Sequence, residues 1–369
     1  MISRLVLNHF KCFEHQEIKL APLTVLAGLN STGKSSVLEA MLLLRQSREQ
    51  YDSALCLKGP YVDLGTGMDV LCEYSNDDNI GIHLYCGEQQ YGGWWSSNQE
   101  GAILPQTRAG GRRGNQQECS LFSRQHGSWL QFTYLSAERI GPRTSYAISP
   151  ERMDEDPELG RCGEYAAQYL EKVANRDIPI VQMKLGDDGV MAVQTCLDEW
   201  MRVISPGVHL TVASYADIDM VKFRYQYPRN GVQGREYRPV NVGFGLTAIM
   251  PVILALLTTQ KGGLLLLENP EIHIHPKGQT YLGKLMALAA QNGVQVIVET
   301  HSDHIINGIR LAVKQHDMQA ENGLIQFFSD SVTTNGISLD SVHIKEDGKL
   351  DAWPQDFMSE WEDSLMKLL

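Results

Sequence analysis

The chain has 369 residues, of which 43% are hydrophobic and 21% are charged, and its formal net charge is −12. These values exclude a disordered chain and a basic nucleic-acid coat, so any contact with DNA or RNA requires a partner or a local basic patch. The length favours one large domain with an insertion, or two domains.

The seven cysteines are scattered, odd in number and never spaced C-x-x-C. This pattern disfavours a disulfide framework or a structural zinc site and favours reduced thiols in the cytoplasm. No apolar run reaches the length of a membrane span, and the first residues lack a signal-peptide layout. The sequence therefore predicts a cytoplasmic protein with no membrane partner.

The first predicted elements are two strands, over residues 3–7 and 16–20. The turn between them holds Lys11 flanked by Phe10 and Phe13. Two interpretations stay open for this turn. The phenylalanines can simply pack in the core, or Lys11 and its backbone can face the phosphates and base of a nucleotide.

Residues 28–35 read Gly-Leu-Asn-Ser-Thr-Gly-Lys-Ser, a complete G-x-x-x-x-G-K-S phosphate loop. An apolar strand over 23–27 precedes it and a helix-forming run follows it, which is the context that this motif requires. In such a loop Lys34 reaches the β- and γ-phosphates and the Ser35 hydroxyl ligates Mg²⁺. The predicted nucleotide-binding residues in this half are Lys11, Asn30, Ser31, Thr32, Gly33, Lys34, Ser35 and Ser36.

Strands over 61–67 and 80–86 predict an antiparallel layer attached to the nucleotide-binding core. Residues 87–128 are rich in Gln, Gly and Ser, and we expect a mobile surface excursion there. A contact with a partner or nucleic acid is the alternative. It rests on Trp94, Trp95, Arg108, Arg112 and Arg113.

A strand over 129–135 leads to Ser-Ala-Glu-Arg-Ile-Gly-Pro-Arg at 136–143, where α/β proteins place ligand-contacting loops. Surface ion pairing is the alternative for its charges. Residues 150–205 are expected to be mainly helical, followed by strands over 208–214 and 221–227.

The second half of the predicted site begins at 241–247, which opens an apolar helix running to about Thr258. An apolar strand over 263–268 ends in Glu268, a carboxylate placed to hold Mg²⁺ by way of water. The next strand, over 294–299, is followed by His301, which can hydrogen-bond a γ-phosphate or the attacking water.

Taken together, these motifs resemble the ABC-type ATPases of the SMC, RecF and OLD kind, in which nucleotide is sandwiched between two heads. The resemblance implies an α/β fold: an ABC-type ATPase head, with a P-loop mixed sheet flanked by helices, an antiparallel β layer and an inserted helical lobe. It identifies 28–36 as the Walker A motif, 264–268 as the Walker B strand, 241–247 as the counterpart of the signature motif and His301 as the switch histidine.

The expected division of the chain has five parts. They are an N-terminal ATPase lobe with the start of the β layer over 1–86, a variable surface insertion over 87–128, a helical and β lobe over 129–235, a C-terminal ATPase lobe over 236–330 and a tail over 331–369.

The match is closer to a bacterial subgroup that carries LNSxGKSS, SAERIGPR, NVGFG, ENPE-x-H-x-HP and ETHSDH motifs and a short tryptophan-containing tail, here 352–357. Several of these relatives are ATPase subunits of anti-phage systems resembling Septu or PARIS, paired with a separate nuclease. The resemblance implies a Mg·ATP-dependent homodimer or higher oligomer in which Gly243 and Gly245 contact the γ-phosphate on the other chain. It also implies control of a nuclease effector or of a nucleic-acid transaction in anti-phage defence.

One position departs from the wider ABC class, in which Walker B ends in Asp-Glu with the Glu as general base. Here the pair is Glu268-Asn269, and an amide cannot accept the proton. Glu271 is the predicted substitute, with His301 next, and a nucleotide-locked scaffold with little turnover is an alternative. A metal-dependent nuclease is a further one, using His273, His275, His301, His304, Glu271 and Asp303.

Overall fold

The structure is a computed structural model, and it describes residues 1–49, 53–98, 100–109, 119–122, 129–149, 157–185, 189, 191–228, 234–331, 336–354, 357, 366 and 368. The strands are β1 Arg4–Phe10, β2 Phe13–Lys19, β3 Leu23–Gly28, β4 Ala54–Cys56, β5 Asn79–Cys86, β6 Gln89–Ser96, β7 Ile103–Ala109, β8 Leu130–Leu135, β9 Tyr146–Ala147, β10 His209–Tyr215, β11 Met220–Gln226, β12 Thr259–Glu268, β13 Gln295–Glu299, β14 Gly323–Ser331 and β15 Gly336–His343. The helices are α1 Lys34–Gln46, α2 Gly67–Val70, α3 Ala166–Val173, α4 Val193–Ile204, α5 Phe244–Thr258, α6 Pro276–Gln291 and α7 Asp303–Lys314.

The chain divides into two compact units. Unit 1 consists of Met1–Phe122 and Val313–Leu369, and unit 2 of Ser123–Ala312. The predicted phosphate loop belongs to unit 1, and the predicted Walker B strand belongs to unit 2.

Unit 1 contains an antiparallel sheet with the strand order β2-β1-β5-β6-β7-β4. Strand β1 alternates as a strand with one buried face requires, with Leu5 and Leu7 fully buried, whereas β5 is buried on both faces from Ile80 to Leu84. This sheet is the predicted antiparallel layer, and it is larger than the sequence indicated.

Two of its strands, β6 and β7, fall in the range for which the sequence favoured a mobile surface excursion. That expectation is wrong for residues 89–96 and 103–109, because β6 pairs with both β5 and β7 and the Trp95 side chain is fully buried. Arg112 and Arg113 lie outside the described residues. The strand predicted over 61–67 is also absent: only an isolated bridge from Asp63 to Lys58 occurs there, and α2 begins at its end.

The remaining strands of unit 1 carry the phosphate loop. β3 pairs in parallel with β14, which pairs antiparallel with β15. Leu23–Ala27 of β3 are all buried, as the apolar and β-branched residues of that strand predict. Because β3 is anchored along its length, the loop that follows it starts from a fixed point.

Unit 2 is organised around β12, which pairs in parallel with β13 on one side and β8 on the other. Leu264–Leu267 are fully buried, as expected of a strand covered on both faces. Apolar α5 is buried from Gly245 to its end and contacts α4 and α6. Helices α3 and α4, with the three-stranded sheet β10-β11-β9, form the helical and β part of this unit. No helix in the described ranges has the length and apolar character needed to cross a bilayer.

A buried histidine makes the stability of unit 1 sensitive to acid. His83 of β5 is 7% exposed, lies edge-on to Trp94 and accepts a hydrogen bond from Gln90 at 3.1 Å, which requires the neutral ring. Burial lowers the pKa of His83 to about 4 from 6.5. The folded state therefore resists protonation that the unfolded chain accepts, and stability falls as the pH drops from 6.5 towards 4.

The His83→Gln variant is expected to lose about 2 kcal/mol less stability than the wild type when the pH is lowered from 7 to 5. The measurement is urea denaturation at both pH values. His343→Gln, which removes an exposed histidine of β15, serves as the control and should follow the wild type. Equal losses in the wild type and His83→Gln would show that His83 does not titrate as described.

Candidate functional site

The phosphate loop packs so closely that two of its positions accept only glycine. Gly28 ends β3 with φ 137° and Gly33 precedes α1 with φ 89°, both in the region that favours glycine. A Cβ on Gly28 would lie 2.0 Å from the Phe328 carbonyl oxygen, and one on Gly33 would lie 2.6 Å from the Cys12 sulfur. The backbone of the loop is therefore drawn in tightly between β14 and the turn that follows β1.

Polar groups of the loop converge on one carbonyl and on the start of α1. The buried Lys34 ammonium and the Thr32 hydroxyl both donate to the Leu29 carbonyl, the latter at 2.8 Å. The 13-residue helix α1 begins at Lys34, so its first backbone amides and the positive end of its dipole lie at the loop. Among the other predicted binding residues, Asn30, Ser31 and Ser35 are exposed and Ser36 is buried. This arrangement suits a bound phosphate chain.

Lys11 is tied to α1 by an ion pair. Its ammonium lies 2.5 Å from the Glu39 carboxylate, and its backbone amide donates to the Val70 carbonyl at 2.8 Å. Lys11 has φ 52°, and the neighbouring Phe10 and Phe13 side chains are buried. The packing interpretation therefore holds for the two phenylalanines, while Lys11 fixes the turn against the helix that begins at the loop.

In unit 2, Glu268 is held in place by three hydrogen bonds. The Tyr134 hydroxyl donates to its Oε1 at 2.9 Å and the Ala137 amide donates to its Oε2 at 3.0 Å. The Arg139 Nη2 donates to the Glu268 backbone carbonyl at 3.0 Å. Each carboxylate oxygen keeps acceptor capacity, so Glu268 can hold a metal-bound water without moving.

Arg139 places a buried positive charge beside this carboxylate. Its Nε and Nη1 are buried and have no hydrogen-bond partner among the described residues. Burial lowers the pKa of the Arg139 guanidinium to about 10, and the charges of Glu268 and Glu271 oppose that shift. The guanidinium stays protonated at neutral pH and has two nitrogens, Nε and Nη1, whose N–H groups can donate to an anion.

The turn after β12 positions the predicted base. Asn269 adopts φ 41°, and its amide donates to the Glu299 carbonyl at 2.8 Å. Glu271 accepts a hydrogen bond from the His301 amide at 2.9 Å through Oε1, while its Oε2 is buried without a partner in the described structure. One oxygen is thus fixed and the other is available to a water, as a general base requires.

The histidines around this turn contact different partners. The His273 ring packs edge-on against Phe244 at 4.6 Å, and His275 Nδ1 accepts the Lys277 amide at the start of α6. His301 is exposed and reaches Glu271 through its backbone. Among the residues that the structure describes, no group of three or more His, Cys, Asp or Glu could hold a metal ion.

The signature-like segment packs on the same turn. A Cβ on Gly245 would lie 2.2 Å from the His273 carbonyl oxygen, whereas nothing lies within 4 Å of one on Gly243. Gly243 is exposed at the N-terminus of the 15-residue helix α5, and the following Phe244 is 40% exposed. Gly245 therefore serves close packing, and Gly243 leaves the helix terminus open to an anion.

The structure brings together Glu268, Glu271 and the His301 backbone in unit 2, and Thr32, Gly33 and Lys34 in unit 1. Sequence reasoning missed Tyr134 and Arg139 as supports of Glu268. The sequence signal for them was the charged segment directly after a predicted buried strand.

The unpartnered oxygen of Glu271 and the two unpartnered donors of Arg139 fit a site for Mg·ATP, which supplies both water and phosphate oxygens.

The Arg139→Met variant is expected to be destabilised by about 3 kcal/mol, because it removes a buried cation and leaves two carboxylates without the charge that offsets them. Chemical denaturation followed by circular dichroism measures this effect. The control is Arg143→Met, which removes an exposed arginine four residues along the same loop and should change stability by less than about 0.5 kcal/mol. Equal effects in both variants would contradict the role given to Arg139.

Two family models for ATPases match the chain. Residues 1–137 match a model described as an AAA ATPase domain, and residues 214–307 match one described as an AAA domain, putative AbiEii toxin, Type IV TA system. Residues 320–368 match a model described as a protein of unknown function, DUF3696. A comparison with curated proteins gives no match.

Solved structures of SMC heads share the fold. An SMC head bound to the C-winged helix domain of ScpA matches with a TM-score of 0.51 at 12% identity, over 94% of this chain and 98% of that chain. An Smc head with an extended coiled coil, bound to the C-terminal domain of ScpA derived from Pyrococcus furiosus, matches with a TM-score of 0.50 at 11% identity, over 100% of this chain and 99% of that chain. The predicted fold class, an ABC-type ATPase head with an antiparallel β layer and an inserted helical lobe, is confirmed.

Proposed function

We propose that this ATPase of the AAA and SMC-head type binds Mg·ATP at its phosphate loop, dimerises around the nucleotide and so controls a separate effector protein. The observation that carries the proposal is the loop itself, in which Gly28 and Gly33 are too tightly packed for any side chain and Lys34 lies at the start of α1. A loop of this construction has backbone amides and a cation for a phosphate chain.

The proposed roles of Ser35 and His301 follow from the motifs and the resemblance, and those of Glu268, Glu271 and Arg139 are supported by their contacts. Ser35 and Glu268 would hold Mg²⁺, which neutralises phosphate charge when bound. Glu271 would accept a proton from the attacking water through its unpartnered oxygen. His301 would hydrogen-bond the γ-phosphate or that water, and Arg139 keeps a positive charge beside both carboxylates.

The proposed dimer uses the exposed start of α5. Gly243 has open space around it, and apolar Val240 and Phe244 beside it are 47% and 40% exposed. In the proposed assembly Gly243 and Gly245 of one chain meet the γ-phosphate held by its partner, as the resemblance implies. Burial of Val240 and Phe244 in the interface would favour association.

The effector is proposed to be a nuclease in anti-phage defence. Support comes from the motif set of the bacterial subgroup and from the matched model whose description names a putative AbiEii toxin. The two SMC heads are each bound to a ScpA domain, so this fold offers surfaces to a separate protein. With a net charge of −12, contact with DNA or RNA would come through that partner or a local patch such as exposed Arg108.

A second candidate is a nucleotide-locked scaffold that holds an effector with little turnover. Asn269 favours it, because the amide occupies the position of the usual base and cannot take a proton. Both candidates bind ATP, but the scaffold hydrolyses it slowly or not at all.

Titration calorimetry with ATP, in Mg²⁺ and in EDTA, tests the proposal. We expect saturable binding that Mg²⁺ strengthens. Glu268→Gln should retain binding in EDTA and lose the gain from Mg²⁺, whereas Glu138→Gln, which changes an exposed glutamate of the segment after β8, should behave as wild type. Failure of the wild type to bind ATP in either condition would refute the proposal.

A further inference from the structure

A pair of thiols in unit 1 lies apart from every residue assigned to the nucleotide. Cys86 ends β5 and Cys119 belongs to the described segment 119–122, 33 positions along the chain. Their sulfur atoms are 2.9 Å apart, and both cysteines are free. Two thiols at this separation can exchange a hydrogen bond for a covalent bond with little movement of the backbone.

The two thiols differ in exposure and in acidity. Cys86 is half-buried, whereas Cys119 is 1% exposed. The hydrogen bond between the two sulfurs lowers the pKa of the Cys86 thiol, while the same bond and burial raise the pKa of the Cys119 thiol. Cys86 is thus the more exposed and more acidic thiol, and Cys119 is the less acidic thiol behind it. This is the arrangement of an attacking and a resolving cysteine.

The segment that carries Cys119 is held in place by its own packing. Leu121 is fully buried, and its carbonyl accepts a hydrogen bond from Arg45 Nη1 at 2.8 Å. The Phe122 ring packs against Tyr91 of β6 at 5.3 Å between centroids. These contacts hold Cys119 next to Cys86, which is itself fixed at the end of β5.

We propose that Cys86 and Cys119 are a peroxide-sensitive dithiol that closes to a disulfide and pins segment 119–122 to β5. The Cys86 thiolate attacks one oxygen of hydrogen peroxide and the O–O bond breaks, which gives a sulfenic acid on Cys86 and releases hydroxide. The Cys119 sulfur then attacks the Cys86 sulfur. The S–S bond forms as the S–O bond breaks, and the leaving hydroxyl takes the Cys119 proton to give water. A thiol reductant reverses the change.

The crosslink would act at the C-terminal end of the helix that follows the phosphate loop in unit 1. Arg45, which donates to Leu121, lies in the last turn of α1, the helix that begins at Lys34. Closing the disulfide restricts the conformations of segment 119–122. The hydrogen bond from Arg45 of α1 to Leu121 in this segment would then be held more rigidly. The oxidation itself needs no nucleotide, so it stands independently of the proposed ATPase function.

Reduced full-length protein is treated with near-stoichiometric hydrogen peroxide, alkylated under denaturing conditions and digested without reductant for mass spectrometry. We expect a peptide pair joined through Cys86 and Cys119 that dithiothreitol separates. Cys119→Ser should trap a sulfenic acid on Cys86, detected as its dimedone adduct. The control Cys56→Ser should form the same crosslink as the wild type.

Complete alkylation of both cysteines in peroxide-treated wild-type protein would overturn the proposal, as would equal crosslinking of Cys86 to several other cysteines. Both results come from the unmutated chain, so neither depends on the folding of a variant.

Discussion

The Lys34→Ala variant is expected to lose ATP affinity by about 100-fold or more, and hydrolysis with it. Hydrogen bonds to charged groups contribute about 1.5–3 kcal/mol each, and Lys34 would make such bonds to two phosphates. Its ammonium is buried against the loop and already points at the Leu29 carbonyl, so no distant rearrangement is needed to meet a ligand there. Calorimetry with Mg·ATP measures the loss.

Lys58→Ala provides the matched control. Lys58 is an exposed lysine of unit 1 that pairs with Asp63 at 3.0 Å, and surface ion pairs of this kind contribute little to stability. The control should bind ATP as the wild type does. An ATP affinity of Lys34→Ala within about threefold of the wild-type affinity would show that the phosphate loop does not bind ATP as proposed.

Glu271→Gln is expected to slow single-turnover hydrolysis by about 100-fold to 1,000-fold while ATP affinity changes little. Glutamine has the shape of glutamate, so its carbonyl oxygen can still accept the His301 amide that now bonds Oε1. The substitution therefore removes the ability to take a proton and keeps the turn. Rapid mixing of excess enzyme with labelled ATP isolates this step.

Asn269→Ala is the control for Glu271→Gln, because it removes the amide at the usual position of the base. Its rate should stay within about tenfold of the wild type. An unaffected rate in Glu271→Gln would eliminate Glu271 as the base. A wild-type rate as slow as that of the variant would favour the nucleotide-locked scaffold.

The sequence predicted the parts of the site that are local. The phosphate loop, the buried strand before Glu268 and the apolar helix α5 each depend on a short run of residues, and all three are where the pattern placed them. Tyr134 and Arg139 could not be assigned in this way. They reach Glu268 from about 130 positions away because β8 and β12 are neighbours, and strand pairing is a tertiary property.

The errors have similar causes. Strand β6 contains glycine, glutamine and serine, which are typical of loops, and only its pairing with β5 and β7 and the burial of Trp95 make it a strand. Residues 61–67 contain alternating apolar residues, but Gly65 turns at φ 79° and Thr66 caps α2. The Cys86–Cys119 pair has no spacing signature, because it exists only once segment 119–122 is folded against β5.

Light scattering of Glu271→Gln with and without Mg·ATP tests the central claim most directly. The account predicts a mass of twice the protomer in Mg·ATP, a single protomer in EDTA without nucleotide, and no dimer in the Lys34→Ala/Glu271→Gln double variant. A Glu271→Gln protein that remains a single protomer while calorimetry shows it saturated with Mg·ATP would contradict the account.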